Sequence, residues 1–196
     1  MSKELETSWR NAFEFVQKFY FEISYLIKEV EGQLEKEPEK FVFCRSGGHA
    51  VTSYTSSGLD PRQVRCWLPA TLTAAFVPEQ STKATQGYTA TPLDTSLRAL
   101  LLHIEAYWSG TERPVIFSGV LERVRSKRKD TTKLENLMYE FAYNPDQVFD
   151  KLPKIEYEDS YCTLIGHANT TPLLSITSAQ DVKDKLVDPM LKLYRK

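Results

Sequence analysis

The stretch whose residue types come nearest to chemistry is Cys44-Arg45-Ser46-Gly47-Gly48-His49. Two adjacent glycines can turn backbone N–H groups toward an anion, and Arg45 and His49 would add charge beside them. No phosphate-loop or dinucleotide-binding spacing is present, and no helix follows to contribute its dipole. A plain turn between two β-rich runs accounts for the same glycines. A thiol–imidazole pair would need Cys44 and His49 side by side. A two-residue Gly-Gly turn would pair Cys44 with Val51, and side-chain alternation then puts Cys44 and His49 on opposite faces. Cys162 and His167 separate in the same way if they share one strand.

The remaining chemical candidates are sparse. His49, His103 and His167 are isolated in sequence, with no H-x-x-x-H and no C-x-x-C, so no metal site is expected. His103 reads as a hydrogen-bonded histidine at the edge of an apolar face. Glu156 and Glu158 alternate with Ile155 and Tyr157, the outward half of a half-buried strand. Asp181-Val-Lys183 has the D-x-K spacing of one nuclease superfamily, but there the motif belongs on a strand, and here it falls in the first turn of a helix. Ser126 and Lys129 have serine–lysine spacing, yet they sit in a charged loop that would keep the lysine protonated. No catalytic residue and no cofactor are expected.

Charge supplies the next candidate. Arg123, Arg125, Lys127, Arg128 and Lys129 fall within seven residues, and Lys133 follows. A positive hairpin tip of this kind could meet phosphates or an acidic partner. Glu122, Asp130 and Glu135 flank it, and few aromatics are interleaved to stack on bases. The net charge of −1 offers no overall attraction to nucleic acid or to an acidic membrane.

The elements that must position these residues follow from periodicity. Over about residues 4–36, Trp9, Val16, Ile23 and Val30 recur every seven positions. Leu5, Ala12, Phe19 and Leu26 form a second row, and Phe13, Tyr20, Ile27 and Leu34 a third. At 3.6 residues per turn these rows make one broad apolar stripe on a long helix. Phe21 and Tyr25 lie nearly opposite its centre, so the helix is expected to be covered on two sides. Pro38 stops it after a run of glutamates.

Two β-rich runs, 41–45 and 50–55, read as a hairpin. Residues 64–68 and 71–77 read as strands, and 78–92 as a long loop. A middle helix is expected from about Thr95 to Ser109, with Asp94 as cap and Gly110 as stop. Residues 114–124 read as strand. Residues 133–143 are ambiguous, and a strand pairing back on 114–124 is favoured. A short strand around Ile155 and Tyr157 and a hairpin of 161–168 with 173–177 follow. Ser178 caps a last helix that Pro189 kinks or restarts.

The expected fold is therefore α+β: an antiparallel sheet of about five to seven strands with a long N-terminal, a middle and a C-terminal helix. This coarse element order is similar to that of sensor-type domains of the GAF and PAS kind, with no residue motif of either. At 196 residues the chain is expected to form a single globular domain over 1–196. The start lacks the apolar core of a signal peptide, and three scattered cysteines suit buried free thiols in a reducing, cytoplasmic setting. No membrane span is expected. The functional expectation is a non-catalytic interaction or sensor-like module that self-associates, or binds a protein partner, through Phe21 and Tyr25. The alternatives are a nucleic-acid-binding accessory subunit using 123–133, and an enzyme of unknown class.

Overall fold

The computed structural model describes residues 3–44, 51–52, 71–85, 88–93, 97–106, 114–129, 133–134, 137–138 and 145–196. It opens with α1 (Lys3–Leu34), whose first turn carries Glu4 and Glu6, the sign that suits a helix N-terminus. Strands β1 (Phe41–Phe43), β2 (Val51–Thr52), β3 (Thr71–Pro78), β4 (Lys83–Thr85), β5 (Tyr88–Ala90), β6 (Ala99–Glu105) and β7 (Val115–Ser126) follow. A single helical turn, α2 (Pro145–Val148), precedes β8 (Lys154–Glu158) and β9 (Cys162–Pro172). The chain closes with α3 (Ala179–Val182), a π-helical turn over Lys183–Val187, and α4 (Asp188–Tyr194).

The main sheet is antiparallel in the order β1-β3-β6-β7-β9-β8, with β2 also pairing β3. The α+β class with an N-terminal helix, an antiparallel sheet and a C-terminal helix is thus as the periodicity indicated. On one face, Ile23, Ile27, Val30 and Leu34 of α1 and Leu186, Met190 and Leu191 near the C-terminus pack over Phe76, Leu100, Leu102, Ile104 and Ile116. On the other, Leu134, Leu137, Met138, Val148 and Phe149 cover Leu101, Phe117, Leu121 and Leu164. No described helix is long and apolar enough to cross a membrane.

Several expectations are corrected. The middle helix is strand β6, and every residue from Ala99 to Glu105 is buried. A strand covered on both faces shows an unbroken apolar run rather than alternation, which by itself looks like a buried helix. The first hairpin does not form: β1 and β2 both run antiparallel to β3, against Phe76–Pro78 and Leu72–Thr73 respectively. They are two pieces of one edge position along β3, and residues 45–50 between them lie outside the described residues. Strand β7 has β6 on one side and β9 on the other, so 133–143 cannot pair with it. Instead Lys133 bridges Pro92. The second hairpin is replaced by one long strand, β9, followed by a 3-10 turn at Leu173–Ser175 and hairpinned to β8. The loop over 78–92 carries the β4–β5 pair. The expected strand at 64–68, and the caps Asp94 and Gly110, lie outside the described residues.

The C-terminal region follows its sequence closely. The Ser178 side chain accepts a hydrogen bond from the Asp181 N–H at 3.1 Å, and Pro189 opens α4.

Candidate functional site

Helix α1 has 32 residues and so spans about 48 Å. A compact domain of this length has a radius of gyration near 16 Å, hence a diameter of roughly 42 Å, so helix length alone accounts for an overhang of about 6 Å, and the exposure pattern shows a longer one. The overhang is the N-terminal half. From Ile23 onward the stripe is buried, Val30 and Leu34 completely. From Glu4 to Phe15 every residue is exposed.

The exposed half is not polar. Leu5, Trp9, Phe13 and Phe15 are 57%, 71%, 53% and 71% exposed. Trp9 and Phe13, one turn apart, stack with ring centroids 5.8 Å apart and planes 12° apart. Phe21 and Tyr25, on the opposite side of the helix, are also exposed, at 63% and 69%. The second apolar side is therefore left uncovered among the described residues. The arm itself escaped the sequence reading, because the stripe looks the same along its whole length.

The basic run lies at the far end of β7. A register shift between Leu121 and Arg123 marks a β-bulge, so Glu122 and Arg123 are both exposed in succession. Glu122 Oε1 then lies 3.4 Å from His167 Nδ1. Arg123 stands opposite Ile165, which stands opposite Glu156. Arg125, Thr163 and Glu158 form the next row. Two strand spacings, about 10 Å, separate the arginines from the glutamates, close to one Debye length, so each row partly cancels its own field. Lys127 Nζ meets Glu158 Oε1 at 2.7 Å and donates to the Asp159 carbonyl. The Arg128 guanidinium sits 5.5 Å from the centroid of Tyr161. Lys129 is exposed. Ser126 Oγ donates to the Arg128 carbonyl and accepts from its N–H, both at 3.0 Å, a local loop bond away from Lys129.

A third group lies inside the sheet. Thr73 and His103 are direct partners on β3 and β6, and Thr71 faces Glu105 in the same way. Thr73 Oγ1 is 2.7 Å from His103 Nδ1, and His103 Nε2 is 3.4 Å from Glu105 Oε1. With the Nε2 proton turned to the carboxylate, Nδ1 accepts from the Thr73 hydroxyl. Hydroxyl, imidazole and carboxylate in line form a hydrolytic arrangement in outline. All three are buried, however, and the ring lies beside the stacked pair Phe117 and Phe149, with centroids 5.9 and 5.0 Å away. Burial pushes the imidazole below its ordinary value of 6.5, with Glu105 opposing. The second oxygen of Glu105 has no hydrogen-bond partner. A substrate has no route to a hydroxyl held at 1% exposure, so the chain of bonds reads as a structural polar network. It confirms the hydrogen-bonded histidine and moves it from a helix to a strand.

Cys162 and His167 separate as the alternation argument required. Cys162 is fully buried, while His167 is partly exposed on the opposite face of β9. Cys44 is buried, its N–H donating to Ala75 O at 3.0 Å and its carbonyl accepting from Thr91 Oγ1 at 2.8 Å. Arg45 to His49 lie outside the described residues. Asp181 accepts from Thr177, Ser178 and Lys185 and so closes the start of α3. Among the described residues no cluster of three metal-ligating side chains occurs. No family model matches the chain, and neither curated proteins nor solved structures give a match.

Proposed function

We propose that this chain is a non-catalytic protein-interaction module that self-associates through its N-terminal helix. The observation that carries this reading is the concentration of Leu5, Trp9, Phe13 and Phe15, each more than half exposed, on one short stretch of α1. Scattered exposed apolar residues are ordinary, but Leu5, Trp9 and Phe13 share one face of a protruding helix, and such an apolar patch marks an interaction surface. Phe21 and Tyr25 extend the exposed apolar surface on the reverse side. Light scattering of the full chain is the test. The expected mass is a multiple of the 22.5 kDa chain, falling to one chain in Trp9→Glu/Phe13→Glu with the far-ultraviolet spectrum unchanged. A single-chain mass for the unaltered protein at every concentration overturns the reading.

A nucleic-acid accessory role is the second reading, and it is supported by Arg123 and Arg125 exposed on one face of β7. It requires affinity that falls steeply with salt and is lost in Arg125→Glu/Lys127→Glu. A flat salt response removes it.

A further inference from the structure

Resting on self-association through α1, the geometry points to one arrangement: we infer that two copies pair their arms antiparallel, through the Trp9 face and not through Phe21 and Tyr25. The occupant is a second copy because the exposed arm is complementary in size to itself when reversed. Along the stripe run Leu5, Trp9, Ala12 and Val16, spaced by four, three and four residues. That is the alternating spacing with which two helices interlock side chains. An isologous two-fold contact requires that residue i meet j while j meets i. A two-fold axis passing between Arg10 and Asn11 sets Trp9 against Ala12 and Leu5 against Val16, each pair twice. The largest side chain then lies over the smallest, the large-against-small packing that fills a helix interface without voids. A parallel pair would set Trp9 on Trp9 and Ala12 on Ala12, a clash beside a gap.

Size and position agree. At the 150–250 Å² an aromatic side chain offers, the exposed fractions of Leu5, Trp9, Phe13 and Phe15 amount to roughly 500 Å² per copy. Complete burial of all four in two copies would reach about 1,000 Å², so with Phe13 and Phe15 on the flanks the pair is a weak, concentration-dependent dimer. Phe13 and Phe15 flank the seam at about 70° and 90° on either side of its centre, where they close it against water. The seam ends near Val16, just before the stripe turns into the chain's own core at Ile23, so reversed arms meet without collision between bodies.

Disulfide trapping tests the arrangement, in a Cys66→Ser background because Cys44 and Cys162 are buried. Chains carrying Leu5→Cys are mixed with chains carrying Val16→Cys under mild oxidation, and light scattering is run in parallel. Since a bridge needs Cα atoms within about 7 Å, the mixture is expected to cross-link about tenfold more than Leu5→Cys alone. Trp9→Cys mixed with Ala12→Cys provides the second layer if Val16→Cys disturbs packing. Cross-linking of Leu5→Cys with itself and not with Val16→Cys would establish a parallel pair and overturn the arrangement. A dimer by light scattering that forms no bridge in either layer would place self-association on another face. A monomer would end both the arrangement and the reading beneath it.

Discussion

Arg195 holds Glu39 with two nitrogens, Nε to Oε1 at 3.0 Å and Nη2 to Oε2 at 2.7 Å, and the same Nη2 reaches Glu37 Oε2 at 2.8 Å. The last residues of the chain are thereby tied to the segment that leaves α1. The planar guanidinium suits this two-point grip. Beside it, the rings of Phe41 and Tyr194 meet edge to face at 4.9 Å.

This grip has a pH signature. The hydrogen bond from Arg195 holds the Glu39 carboxyl below its ordinary value of 4.5. A carboxylate depressed in the folded state stabilises fully above its unfolded value and loses that contribution as pH falls through the folded one. The groups are partly exposed, so Arg195→Ala is expected to cost about 1 kcal/mol at pH 7, less in high salt. Urea titrations should show that difference vanishing once Glu39 is protonated. A difference independent of pH would deny the ion pair a role.

His103 predicts a second pH dependence at higher pH. Its folded pKa lies below 6.5, so the unfolded chain binds more protons in the interval between the two values. Stability from this group is complete above about 6.5 and declines as pH falls below it. His103→Gln keeps hydrogen-bonding capacity but cannot titrate. It should flatten the slope of melting temperature between about pH 7 and 5 and cost about 1–3 kcal/mol. An unchanged slope would assign the dependence to another group.

The two halves of α1 should respond differently to the same kind of truncation. Leu34→Ala opens a cavity in a fully buried site and is expected to cost about 2–5 kcal/mol. Trp9→Ala removes a larger side chain, yet at dilutions where the chain is monomeric it should change unfolding by less than about 0.5 kcal/mol. A large loss from Trp9→Ala in dilute solution would mean that the arm packs on its own body.

Lys40 adopts φ of +47°, in the left-handed region that costs a side-chain-bearing residue about 1–2 kcal/mol. Its N–H still donates to Glu37 O at 2.8 Å and its carbonyl accepts from Glu79 N–H at 2.9 Å, so the turn is well anchored. Lys40→Gly should raise stability by about 0.5–1 kcal/mol after glycine's own entropy is counted. Destabilisation on thermal melting would show that the lysine side chain matters more than its backbone.

Gly119 and Gly166 permit the close approach of β7 and β9. A Cβ on Gly119 would come within 2.0 Å of the His167 carbonyl, and one on Gly166 within 2.1 Å of the Val120 carbonyl. Both obstacles are backbone and cannot swing aside. Gly119→Ala is expected to cost about 2–4 kcal/mol or to prevent folding, read by chemical denaturation. A neutral result would mean that the strands separate more easily than their pairing suggests.

The sequence alone determined what depends on neighbours along the chain. The heptad-spaced rows of α1, the alternation of Ile155 and Tyr157 with Glu156 and Glu158, the Ser178 cap and the restart at Pro189 each rest on local periodicity or local hydrogen bonds. Tertiary structure decided the rest. Ala99 to Glu105 has no strand-like alternation because both faces are covered, and only its partners β3 and β7 make it a strand. Thr73 and His103 are thirty residues apart, and only the register of two strands brings their polar atoms together. Where the apolar stripe of α1 stops being core and becomes surface is set by the size of the body beneath it, a boundary that no local pattern along the helix encodes.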